Sequence, residues 1–185
     1  TIYIGHISND ALSALTLAFP IQIFLISIAV GTGAGTSSLI SRSLGMGNKK
    51  KASNVAEHIL IIAVLYGIII GLLGYFFAEN LIGIYTNNHT LITDGSSYIR
   101  IVMMGSAAMF LPMLSNNILR GEGNTFVPML TMVIGAILNI LIDPLLIFGI
   151  GPFPTLGIKG AAYATVISRA ISGIFILAIM FSNKN

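Results

Sequence analysis

Of 185 residues, 55% are hydrophobic and only 8% charged, and the mean hydropathy is +0.93. Soluble domains carry about 25% charged residues, so nine basic and six acidic side chains cannot coat a 19.6 kDa water-facing surface; a soluble globular protein, a disordered tail and a nucleic-acid-binding module are excluded. The net charge of +3 is clustered, with Arg42 and Lys49, Lys50 and Lys51 inside ten positions, and the lack of cysteine excludes disulfides, thiolate metal sites and cysteine catalysis.

The remaining charges punctuate long apolar runs. Residues 11–41, 58–78, 101–119 and 123–142 carry no Asp, Glu, Lys or Arg, and 160–181 is interrupted only by Arg169. A spanning helix needs about 20 mainly apolar residues, so the spacing predicts five full spans at about 12–40, 54–78, 96–119, 125–148 and 159–182. Thr1–Gly5 would be the tail of a further span. The chain starts inside an apolar stretch with neither an initiator Met nor a signal-peptide n-region, and reads as a piece of a longer protein. Backbone cannot stay unpaired in hydrocarbon, and runs this long without period-2 alternation favour helices over a barrel. The fold class expected is therefore all-α: one polytopic membrane bundle, residues 1–185, with no linker long enough to divide it.

Connections at 6–11, 41–53, 79–95, 120–124, 149–158 and the C-terminal tail must alternate sides. The set 41–53, 120–124 and 182–185 holds Arg42, Lys49, Lys50, Lys51, Arg120 and Lys184, and the opposite set holds no Lys or Arg. Positive-inside places 41–53 in the cytoplasm and 79–95 outside. A lipid-headgroup patch is the other reading of the lysines.

Within the first full span, Gly31-Thr-Gly-Ala-Gly-Thr36 fails as a phosphate loop because residue 36 is Thr and no Lys follows. Gly31 with Gly35, and Gly67 with Gly71, read instead as small-xxx-small pairs for close helix packing. Asn116 and Asn117 near the end of the third span suit either interhelical glue or site ligands. In the fourth, Asp143 stands about 27 Å along a helix starting at Thr125, where an unpaired carboxylate costs about 2.5–3.5 kcal/mol. Asn139 shares its face one turn earlier, and Pro144 deprives the Ile140 carbonyl of its helical partner and should bend the helix. Carboxylate, amide and freed carbonyl together suit a proton or a hard cation. Alternatively, Asp143 is simply solvated beside the Gly/Pro-rich 149–158 loop. In the last span Thr165 and Arg169 lie one turn apart, with Arg169 facing either a structural partner or a water-filled cavity. His6, His58 and His89 have no metal-ligand spacing, and no catalytic pair suggests an enzyme.

Several strings in order resemble the multidrug and toxic compound extrusion (MATE) transporters, prokaryotic DinF-like members in particular. They are Ala18-Phe-Pro-Ile21, Gly31-Thr-Gly-Ala-Gly35, Ser41-Arg-Ser-Leu-Gly-Met-Gly-Asn48 and Asn116-Asn-Ile-Leu-Arg-Gly-Glu-Gly-Asn124, followed by Asn139-Ile-Leu-Ile-Asp-Pro144, Leu156-Gly-Ile-Lys-Gly-Ala-Ala162 and Ala164-Thr-Val-Ile-Ser168. The resemblance implies twelve spans in two six-helix lobes, with this chain supplying most of the N-terminal lobe and the second lobe absent from it. It implies a multi-pass protein of the cell (inner) membrane that exports amphipathic, often cationic compounds in exchange for H⁺ or Na⁺, with no other cofactor. Its partners would be the bilayer, small organic substrates and the C-terminal lobe. Carried over by position, Asp143, Asn139, Asn116 and, more loosely, Thr165 would line an N-lobe cation pocket. The family's first-helix Asp would directly precede Thr1. A lipid-linked sugar flippase of the same superfamily, which would show a cluster of Arg and Lys in its cavity, and a truncated membrane interaction module are the alternatives.

Overall fold

The computed structural model describes residues 9–152 and 154–182, so the expected Thr1–Gly5 tail, His6 and Lys184 lie outside the described residues. Among these the regular structure is helical throughout: α1 (Asn9–Gly45), α2 (Lys49–Gly83), α3 (His89–Met104), α4 (Ala107–Gly121), α5 (Phe126–Phe148) and α6 (Ile158–Ser182). By length and composition α1, α2, α5 and α6 can each cross a membrane, and α3 with α4 forms a fifth span bent by 49°. Large apolar side chains such as Phe24, Phe76, Phe126 and Ile174 point outward, as a lipid solvent allows. At about 1.5 Å per residue α1 and α2 each exceed the roughly 30 Å hydrocarbon core. The charged stretches therefore lie largely in helix ends beyond it, and the expected 41–53 and 79–95 loops shrink to 46–48 and 84–88.

Local chemistry explains the stops and starts. At the α1–α2 turn, Gly47 adopts φ +73°. Its N–H reaches the Leu44 carbonyl at 2.9 Å, and the Asn48 N–H reaches Ser43 O at 2.9 Å, the bond pattern of a left-handed glycine cap. Asn48 then opens α2, its Oδ1 accepting from Lys51 N at 2.9 Å. Gly123 and Asn124 repeat the device: Asn124 N–H bonds Leu119 O at 2.9 Å, and Asn124 Oδ1 accepts from Val127 N at 3.1 Å. Lys49, Lys50 and Lys51 crowd the positive end of α2, an arrangement the helix dipole disfavours. Stability does not explain it; the positive-inside orientation expected from the sequence would. In single-cysteine variants of this cysteine-free chain, a membrane-impermeant maleimide applied to intact cells is expected to label residue 87 and spare residue 46. Met46 replaces the capping Asn48 as the probe position so that the turn survives. Labelling at 46 alone would reverse the orientation.

The expected single span at 96–119 is corrected. It is broken at Gly105–Ser106, and its first half begins at His89. The Ser106 hydroxyl donates to Gly67 O of α2 at 3.0 Å, inside the bundle. A Cβ on Gly67 would stand 2.6 Å from the Ala107 Cβ, one on Gly74 would overlap the Met103 side chain, and one on Gly105 would stand 2.5 Å from Val166 of α6. Small residues on α2 and at the break let the bent span wedge between α2 and α6, while α1 packs against α2, α3 and α4. Phe110, Leu114 and Ile118 of α4 are fully buried, with Phe110 edge-on to Tyr66 of α2 at 5.3 Å. α5 joins the bundle chiefly through α6.

The glycine-packing expectation for α1 is also corrected. Within 4 Å of a Cβ on Gly31 or Gly35 there is nothing; the buried glycine is Gly33, on which the Asn117 amide sits. Spacing identified a small-residue helix but not its packed face. In α2, Gly67 is closely packed and Gly71 is in ordinary contact with Met103 and Met104.

Candidate functional site

A cavity of about 430 Å³ opens between α1, α3, α4, α5 and α6, and a smaller one of about 100 Å³ adjoins it. Gln22, Tyr98, Asn139 and Thr165 line both. Asp143 lines only the smaller; Asn116, Arg169, Ser168, Ser172 and Thr131 line only the larger.

Two helices build most of this arrangement. α5 and α6 pack side by side, close enough that a Cβ on Gly135 would meet Ser172 Oγ at 2.8 Å. On α5 the spacing 131, 135, 139, 143 places one residue per turn on the inward face; on α6 the spacing 161, 165, 168/169, 172 does the same. Polar residues recur along both stripes, so two apolar helices present a polar seam to each other and to α3.

Asp143 is 8% exposed, and the Asn139 amide donates to its Oδ1 at 3.4 Å. The low exposure speaks against the solvated alternative for Asp143: the residue packs within the bundle, against Asn139 of its own helix. α5 remains helical through Pro144 to Phe148, so proline does not end the helix, and Ile140, although it follows Asn139, lines neither cavity. Thr165 donates its hydroxyl proton to Ala161 O at 2.9 Å, which leaves its oxygen free to accept.

The two asparagines divide their roles. Asn117 ties α4 to α1: Ser37 Oγ donates to Asn117 O at 2.8 Å, and Asn117 Nδ2 donates to Met113 O at 2.8 Å. Asn116 instead lines the larger cavity, 8% exposed, with its buried Oδ1 lacking any hydrogen-bond partner. A buried orphan acceptor of this kind costs about 1–3 kcal/mol.

Of the four residues lining both cavities, Gln22 and Tyr98 were not foreseen from sequence. Gln22 Nε2 donates to the Tyr98 hydroxyl at 3.0 Å, joining α1 to α3. Tyr98 in turn lines both cavities beside Asn139 and Thr165. Gln22 carried a signal, as the one side-chain amide in α1's uncharged 11–41 run. Tyr98 carried none, since a tyrosine near a span end equally suits the interface. Arg169 is partly buried and faces the larger cavity.

The family model described as MatE matches residues 1–145. Over 172 residues, covering 93% of this chain and 38% of the relative, the chain is 37% identical to a Shewanella oneidensis protein named "FAD transporter". It is 31% identical over 176 residues, 95% of this chain and 38% of the relative, to the "probable multidrug resistance protein YoeA" of Bacillus subtilis. It superposes with a TM-score of 0.93 on a structure described as MATE in the bent conformation, at 33% identity, covering all of this chain and 40% of that one. The chain thus spans about two fifths of the length of the relatives it matches.

Proposed function

The chain belongs to the MatE family, a family of multi-pass membrane transporters and not of enzymes, and from that premise we propose that it forms the N-terminal lobe of a secondary antiporter in the cell inner membrane. Together with a second lobe it exports small amphipathic compounds while H⁺ or Na⁺ moves inward through the site at Asp143. The observation that carries the reading is the buried Asp143–Asn139 pair in a small cavity whose wall is shared with a larger one.

The shared wall supplies the coupling. An ionised carboxylate out of bulk water needs a proton, a cation or hydrogen-bond donors. Of these, Asp143 has one long hydrogen bond from Asn139. Binding a proton or Na⁺ at Asp143 changes what Asn139, Thr165, Gln22 and Tyr98 hold, and those four side chains also line the larger cavity. Ion and substrate thereby bias the same walls, which is what reciprocal coupling between sites requires. Movement of this lobe against a second one would turn the bias into alternating access. Among residues lining either cavity, Arg169 is the single Lys or Arg, thin support for a lipid-linked sugar flippase with its Arg and Lys cluster.

Proteoliposomes holding the full-length transporter that contains this chain test the reading. With ethidium as a reporter, an imposed pH gradient or Na⁺ gradient is expected to drive its movement. Transport indifferent to both gradients would overturn the antiport assignment.

A further inference from the structure

The geometry points to an organic-anion subsite in the larger cavity. Arg169 receives the carboxylate or phosphate of an amphipathic molecule whose apolar part lies on Met109, Pro112 and Met113. The inference rests on the transporter reading above and reverses the cationic expectation for the part of the substrate that enters this lobe.

Three observations converge. First, Arg169 lines an open, partly apolar cavity, yet among the described residues the only ion pair is Arg100–Glu79 at 2.9 Å, elsewhere in the bundle. Asp143, the sole acidic residue lining either cavity, faces the smaller one and is engaged by Asn139. A partly desolvated guanidinium without a carboxylate calls for a counter-charge, and its fork of donors matches carboxylate and phosphate oxygens. Second, the Asn116 amide is buried on the same cavity with an unpartnered oxygen. As an acceptor it suits a hydroxyl or N–H substituent of the molecule, not its anionic group. Third, the hydroxyls nearby are already committed as donors: Ser168 to Ala164 O at 2.7 Å, Ser172 to Ser168 O at 2.8 Å and Thr131 to Val127 O at 2.9 Å. Arg169 is therefore the charged donor that lines the cavity for the anion, beside the neutral Tyr98 hydroxyl and Asn116 amide. Arg120 adds positive charge beside the cavity, its guanidinium on the sulfur of lining Met132 at 3.7 Å. The thioethers of Met109, Met113 and Met132 form a wall that adapts to differently shaped apolar groups.

Riboflavin and flavin mononucleotide share one fluorescent ring system and differ by a phosphate, so they isolate the charge. Their binding to the full-length transporter in phosphatidylcholine nanodiscs is measured by fluorescence anisotropy, with ethidium as the cation. Wild type is expected to bind flavin mononucleotide about tenfold tighter than riboflavin, the scale of one charge-assisted pairing. Arg169→Gln should bring the phosphate form down to the riboflavin level, Arg169→Lys should keep most of the preference, and riboflavin itself should change little. Equal affinity for the two flavins in wild type, equal loss of both in Arg169→Gln, or tighter binding of ethidium than of either flavin would overturn the subsite. Repeating the titration with phosphatidylglycerol present distinguishes the anion's source: competition identifies a lipid headgroup, and no competition a dissolved solute, with Arg169 as the partner in both. Because binding needs no gradient, flavin discrimination without gradient-driven transport would sink the antiport reading alone. Gradient-driven transport without discrimination would sink only the subsite.

Discussion

Asp143→Asn, introduced into the full-length transporter, is expected to cut gradient-driven efflux by roughly tenfold or more while leaving membrane levels near wild type. The amide keeps the size of the side chain and its contact with Asn139, which lies 3.4 Å away. What it removes is the charge, and with it the ability to take up and release a proton or to neutralise Na⁺. Removing a charge from a site 8% exposed also relieves a desolvation cost, so folding should not suffer. Substrate binding without a gradient should largely persist, because Asp143 does not line the larger cavity. Asn139→Ala should reduce coupling less: it deletes one neutral donor, leaves the carboxylate in place, and opens the shared wall. The measurement is ethidium efflux under an imposed H⁺ or Na⁺ gradient, at matched protein levels, for wild type and both variants. Wild-type efflux from Asp143→Asn would remove Asp143 from the mechanism.

The contact between Asn139 and Asp143 was legible because it is local: four residues on one helix are neighbours whatever surrounds them. The membrane architecture was legible for a similar reason, since each uncharged run reports its own solvent. The family-like strings around Gly47–Asn48 and Gly123–Asn124 prove to be turn chemistry, two copies of a glycine stop followed by an asparagine start. Their information concerns where helices end, not what the protein moves. Tertiary facts were harder to read. Hydropathy runs unbroken across Gly105–Ser106, and although a Gly-Ser pair is a common kink site, the 49° bend also needs the room that Gly67 and Gly74 leave on another helix. Tyr98 joins the cavity wall only because α3 starts at His89 and turns that residue toward α1 and α6. Asn116 and Asn117 look alike in sequence, and 100° of helical rotation gives one to the cavity and the other to α1.

The same dependence on tertiary position sets the expected contrast between two glycines. Gly160→Ala should be among the most damaging small substitutions in the chain, whereas Gly35→Ala should be harmless. A Cβ at Gly160 would overlap the Leu146 carbonyl and stand 2.9 Å from Ile147 N, both backbone atoms of α5 that cannot swing aside. That carbonyl is already in use: Leu156 N–H donates to Leu146 O at 3.1 Å and Gly157 N–H to Ile147 O at 3.2 Å, so the returning chain caps the end of α5. An added methyl must push α6 from α5 or break this cap, and overpacking of this kind costs about 1–3 kcal/mol. The displacement would also separate the two helices that carry Asp143, Asn139, Thr165 and Arg169. At Gly35 a Cβ meets nothing within 4 Å, and alanine's helix propensity exceeds glycine's by up to about 1 kcal/mol. Monodisperse yield by size-exclusion chromatography and the thermal midpoint in detergent should therefore fall for Gly160→Ala and hold or rise for Gly35→Ala. Equal values for the two variants would refute the close α5–α6 approach.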